Sequence, residues 1–130
     1  NAIAPKKTPL SSMTPTIVLK DGKVFLVLGS PGGPRIINAV LNVIVNVIDH
    51  KMSLKEAVFS PRIHHQWLPD KVLVDADGFN DKTVAALKAK GHQVATHGSG
   101  IGNVSAVRVL SDGAIVGVCD PRREGKPMGF

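Results

Sequence analysis

Val24-Phe25-Leu26-Val27-Leu28-Gly29-Ser30-Pro31-Gly32-Gly33-Pro34-Arg35-Ile36 reads as a strand that stops at a glycine turn and passes directly into a helix. Adjacent Gly32 and Gly33 let backbone approach a ligand where any Cβ would clash, and Pro34 suits the first helical position, where a missing N–H costs nothing. Donors at a helix N-terminus, with the helix dipole behind them, attract an anion or a developing oxyanion. The loop therefore has two readings, a tight turn or a binding or catalytic element. Its spacing fits neither the nucleotide loop G-x-x-x-x-G-K-[ST] nor G-x-G-x-x-G.

Working outward, Thr16 to Leu19 and Val24 to Leu28 flank Lys20-Asp21-Gly22-Lys23, whose Asp-Gly pair predicts a hairpin. Pro34 to about His50 predicts a buried helix, apolar on most of its circumference except for Asn38, Asn42 and Asn46, spaced by four on one face. Those asparagines are expected to bond to a neighbouring element or to water. Ser53-Leu54-Lys55-Glu56 has the form of a capping box opening a short helix to about Phe59, which Pro61 ends. Lys71 to Val74 predicts a strand, Asp81 to Lys90 a helix closed by Gly91, and Gln93 to Thr96 a further strand. Val104 to Leu110 and Ala114 to Val118 flank Ser111-Asp112-Gly113 as a second hairpin. Asn1 to Pro9 lacks periodicity and reads as an extended lead-in. The pattern predicts an α/β domain with a mostly antiparallel sheet, spanning 1–130 as one unit.

Composition narrows the function classes. With 130 residues, 43% of them hydrophobic, the chain is long enough to bury about two-thirds of its unfolded surface. The formal charge of +6 is spread along the sequence, without a basic stripe or interleaved aromatics, which argues against nucleic acid. The longest apolar stretch, Ala39 to Ile48, is interrupted by Asn42 and Asn46 and is too short to span a bilayer. A single cysteine, Cys119, rules out an internal disulfide or a multi-cysteine zinc site and leaves the redox compartment open. Adjacent His64 and His65 point apart on a strand or a helix, so packing and hydrogen bonding suit them better than a shared metal. Trp67 is expected to anchor its segment in a core, and Cys119, beside Val116 and Val118, to fill core space. The chain opens on Asn1 without an initiator methionine and reads as a piece of something longer.

Several segments carry a resemblance. Pro9-Leu10-Ser11-Ser12-Met13-Thr14-Pro15-Thr16, then Gly29-Ser30-Pro31-Gly32-Gly33, then His64-His65-Gln66-Trp67-Leu68-Pro69-Asp70 resemble three successive landmarks of the small subunit of γ-glutamyltransferases. Asp120-Pro121-Arg122-Arg123-Glu124-Gly125-Lys126-Pro127-Met128-Gly129-Phe130 resembles that family's C-terminus, so the resemblance covers nearly the whole chain. It implies an N-terminal-nucleophile hydrolase fold, a four-layer αββα sandwich of which this chain forms a part, and a precursor that cleaves itself. The threonine thereby exposed attacks the γ-glutamyl amide of glutathione and related donors, and the acyl group passes to water, an amino acid or a peptide. No cofactor is implied. The implied partners are the large subunit and the remainder of the small subunit, and the implied location is periplasmic or extracellular.

Residue roles follow the same resemblance. Ser11 and Ser12 match the serine pair that binds the donor's α-carboxylate; by themselves they also read as an ordinary turn. Gly32 and Gly33 match the positions whose N–H groups form the oxyanion hole. Pro34 departs from the serine that the family often has there. The family's nucleophile would lie upstream of Asn1, and asparagine cannot itself serve as an N-terminal nucleophile. Two rival readings stay open: a non-catalytic anion-binding module, and a related acylase with another acyl group.

Overall fold

The computed structural model describes residues 2–8 and 12–129. Its first hairpin joins β1 (Thr16–Lys20) to β2 (Lys23–Gly29) through the Asp21-Gly22 turn, where both residues have positive φ. The pairing slips between Val18 and Leu19, leaving Phe25 as the extra residue of a bulge. After the turn, Gly33–Arg35 forms one turn of 3-10 helix and α1 runs over Ile36–Ile48. The capping box at Ser53 is present in both directions and opens α2 (Leu54–Phe59). Next come β3 (Ile63–His64), β4 (Val72–Asp75), α3 (Asp81–Ala89) and β5 (Val94–His97). The second predicted hairpin is β6 (Ser105–Val109) with β7 (Ile115–Cys119).

The main sheet is antiparallel in the order β1-β2-β6-β7. One face packs under α1 and α2: Leu26, Leu28, Val104 and Ala106 meet Ala39, Val40, Val43 and Val47 of α1 and Leu54, Ala57 and Val58 of α2. The buried α1 positions recur at three- and four-residue steps, as one helix face requires. The opposite helix face is also apolar, yet Ile37 and Leu41 are about half exposed, so the helix is buried on one side only, contrary to expectation. Two of the three asparagines bond to neighbouring elements, as their spacing suggested. Asn42 donates to the Ile63 carbonyl (3.1 Å) and accepts from the Ile63 N–H (3.3 Å), gripping the edge of β3, and Asn46 donates to Ala57 (3.4 Å).

Strand pairing is mostly antiparallel, as expected, and the exception lies in the second sheet, in the order β3-β4-β5, where β4 and β5 are parallel. Parallel neighbours need a crossover, and α3 supplies it. Two-residue β3 is too short to leave a periodic signal. Trp67 does not anchor a core: it is 76% exposed at φ 71°, and the residues this segment sends inward are the polar Arg62 and His64. Cys119 is half-buried at the end of β7 beside Gly125, not within the core.

Candidate functional site

Strand register gathers the residues of interest at one end of the main sheet. Thr16 pairs with Leu28, Gly29 with Ser105, and Ser105 with Cys119. The segment before β1, the Gly29–Gly33 turn, the loop before β6 and the residues after β7 therefore share that end.

At the centre lies the glycine turn. Gly32 takes φ 141° and Gly33 φ 58°, both in the region that favours glycine. Arg35 N–H returns to the Gly32 carbonyl (3.3 Å) and Ile36 N–H to the Gly33 carbonyl, so the acceptors of the turn point into the helix start. Among the described residues, neither the Gly32 nor the Gly33 N–H donates to a protein acceptor. No side chain caps this helix start, and no acidic residue sits in its first turn. Uncapped N–H groups at the positive end of a 13-residue helix form a site for negative charge, whether a bound anion or an oxyanion developing on a carbonyl.

Ser12 is half-buried just before β1, and its carbonyl accepts from Thr14 Oγ1 (3.0 Å). That places it at the same end of the sheet as the glycines. Ser11 lies outside the described residues. His64 is buried, with Nε2 2.9 Å from Gln66 Oε1, while His65 is exposed and meets Asp70 at 3.0 Å, so the two rings diverge. No metal-binding group of three His, Cys, Asp or Glu forms among the described residues.

Behind the turn stands an ion network that sequence reasoning missed. Arg62 is fully buried and donates to Asp120 Oδ2 (2.6 Å), the Val58 carbonyl (2.6 Å) and the Ile101 carbonyl (3.0 Å). Arg122 bridges Asp120 (3.0 Å) and Asp75 (2.5 Å) and also donates to Ser60 (2.9 Å). The two carboxylates accept backbone N–H groups of the loop before β6: Asp75 from Ile101 (2.7 Å) and Asp120 from Val104 (2.8 Å). Burial would raise the Asp120 carboxyl, but the Val104 N–H and the Arg62 charge outweigh it and hold it below its ordinary range. Burial lowers Arg62, opposed by Asp120, whereas for Arg122 the bonds to Asp75 and Asp120 overcome burial and raise it. Asp120 and Arg122 are therefore both held in their charged forms at neutral pH. The Asp-Pro-Arg triplet at 120–122 was the available signal, but nothing in the order of residues pairs Arg62 with a carboxylate 58 positions away.

The whole chain, residues 1–130, matches the family model for gamma-glutamyltranspeptidase. The chain belongs to the gamma-glutamyltranspeptidase family. It is similar to the glutathione hydrolase proenzyme of Escherichia coli, 51% identical over 94% of this chain and 21% of that protein. Among solved structures it is similar to a variant of gamma-glutamyltranspeptidase from Helicobacter pylori, with TM-score 0.88 and 50% identity over 95% of this chain and 67% of that one. The enzyme from Pseudomonas nitroreducens complexed with L-DON gives TM-score 0.90 and 42% identity over 100% of this chain and 68% of that one. The fold is thus that of N-terminal-nucleophile hydrolases, and the chain spans about a fifth of the length of the curated relatives it matches. Among the described residues no helix is long and apolar enough to cross a membrane.

Proposed function

We propose that this chain is the C-terminal portion of the small subunit of a γ-glutamyltransferase that cleaves the γ-glutamyl amide of glutathione and related donors through a threonine acyl-enzyme. The observation that carries the reading is the Gly32-Gly33 turn: two N–H groups, unbonded among the described residues, at an uncapped helix start. They serve as the oxyanion hole, stabilising the tetrahedral intermediate when threonine attacks and again when water or an amine displaces it. Supporting the assignment to one subunit, the chain covers a fifth of a relative's proenzyme but two-thirds of the similar solved chains.

The nucleophile, the groups that hold the donor's amino end and the second layer of sheet come from polypeptide outside these residues. The outer face of the main sheet supports this. Ile17, Val27 and Val107 align in register across three strands with their side chains exposed, and Leu19 (60%) and Ile115 (71%) extend the patch. A sheet face this apolar is built to be covered. In a sandwich of this fold its partner is a second sheet, supplied by the rest of the enzyme, and the assembled protein works in the periplasm or outside the cell.

The complete enzyme is expected to release chromophore from a γ-glutamyl anilide, and the 130-residue chain alone to release none. Turnover by the purified chain would place the nucleophile within it and overturn the reading. Failure of the complete enzyme on γ-glutamyl donors, with turnover of another acyl amide, would assign it to the acylases instead.

Ser11 and Ser12 bind the donor's α-carboxylate in this reading. Hydrogen bonds to a charged group are worth roughly 1.5–3 kcal/mol each. Replacing both by alanine in the complete enzyme should therefore raise KM on the order of 10²-fold or more, with a smaller change in kcat. An unchanged KM removes the carboxylate role.

A further inference from the structure

One side chain ties the glycine turn to its support. Ser30 Oγ donates to the Pro31 carbonyl (2.7 Å) and accepts from the Asn103 N–H (2.9 Å). The directions are unambiguous, since a carbonyl only accepts, a backbone N–H only donates, and a hydroxyl does both. The Pro31 carbonyl belongs to the same planar unit as the Gly32 N–H, and in a trans peptide the two point in opposite directions. Holding the carbonyl against Ser30 thus turns the Gly32 N–H to the other side.

The far end of the bridge is fixed. Asn103 sits between Ile101, whose N–H is bound by Asp75 and whose carbonyl is bound by Arg62, and Val104, whose N–H is bound by Asp120. Between them Gly102, at φ 74°, packs so closely that a Cβ there would fall 2.9 Å from Ser30 Oγ and 2.5 Å from Ala39 Cβ. The turn itself has no such rigidity, because two successive glycines leave the Pro31–Gly32 peptide free to flip. A flipped peptide would present a carbonyl oxygen to the developing negative charge.

We propose that Ser30 is a positioning residue for γ-glutamyl transfer: its hydroxyl, anchored on Asn103, locks the Pro31–Gly32 peptide so that the Gly32 N–H faces the reacting carbonyl. This rests on the oxyanion reading of the turn given above. In the complete enzyme, Ser30→Ala is expected to lower kcat for a γ-glutamyl anilide by about ten- to a hundredfold, the scale of a sub-ångström to ångström misplacement, with KM within about twofold. Ser30→Thr, which keeps the hydroxyl, should recover most of the loss. If Ser30→Ala does not give folded enzyme, Ser30→Cys fills nearly the same volume with a weak donor and carries the same kinetic test. Normal kcat in the Ser30 variant beside impaired kcat in Gly33→Ala overturns the role of Ser30 alone. Normal kcat in both overturns the oxyanion reading, and this proposal with it. A Ser30→Thr variant as slow as Ser30→Ala, or an effect confined to KM, also overturns the positioning role.

Discussion

Asp120→Ala in the complete enzyme should destabilise the fold by about 3–5 kcal/mol, the range seen when one partner of a buried ion pair is removed. Both side chains of the Arg62–Asp120 pair are fully buried, so the guanidinium left behind has no solvent to replace its partner. The loss also frees the Val104 N–H and one of the two carboxylate contacts of Arg122. Asp75 still faces Arg122 and lies near enough to Arg62 to act on its charge, which keeps the cost within this range rather than above it. Arg123→Ala is the control: Arg123 is exposed one residue further on, and its removal should change stability by no more than about 0.5 kcal/mol. Denaturant midpoints of the three proteins check this, and an Asp120→Ala midpoint equal to that of Arg123→Ala would show that the network contributes no net stability.

That network marks where the sequence stops being informative. Local signals were legible because each is written in a few neighbouring residues: Asp21-Gly22 for the first hairpin, Ser53 with Glu56 for the capping box, and Gly32-Gly33-Pro34 for the turn into α1. The asparagine stripe was legible for the same reason, since helical periodicity places Asn42 and Asn46 on one face. What could not be read is set by tertiary pairing. Arg62 follows a proline in a stretch too short for periodicity, and its burial depends on Asp120 arriving from the other end of the chain. Trp67 misled for the converse reason: a large aromatic favours burial on average, but the turn at 65–70 carries it outward while His64 takes the inner position. The apolar outer face of α1 was read as buried because hydrophobicity reports that a surface is covered, not by which chain. Within the candidate site, the glycines were legible as a turn into a helix start, whereas Ser30 was only a letter between Gly29 and Pro31 until Asn103 was seen against it.

Gly33→Ala in the complete enzyme is expected to reduce kcat on the order of 10²-fold or more while the protein stays folded. The geometry separates the two effects that such a change could have. A Cβ built on Gly33 meets nothing within 4 Å among the described residues, so steric overlap is not the cost. The cost is conformational: at φ 58° an alanine is strained by roughly 1–2 kcal/mol relative to glycine, too little to unfold an enzyme but enough to pull the turn toward another conformation. In the proposed oxyanion role of this turn, relaxation of φ would swing the Gly33 N–H away from the reacting carbonyl. That contact is stronger in the transition state than in the bound donor, so the loss should appear in kcat with KM little changed. Circular dichroism and a thermal melt must accompany the kinetics to show that the variant is folded. A folded variant with near-normal kcat would mean that Gly32 and Gly33 only shape a tight turn, since one missing donor of a working oxyanion hole cannot go unnoticed in the chemical step.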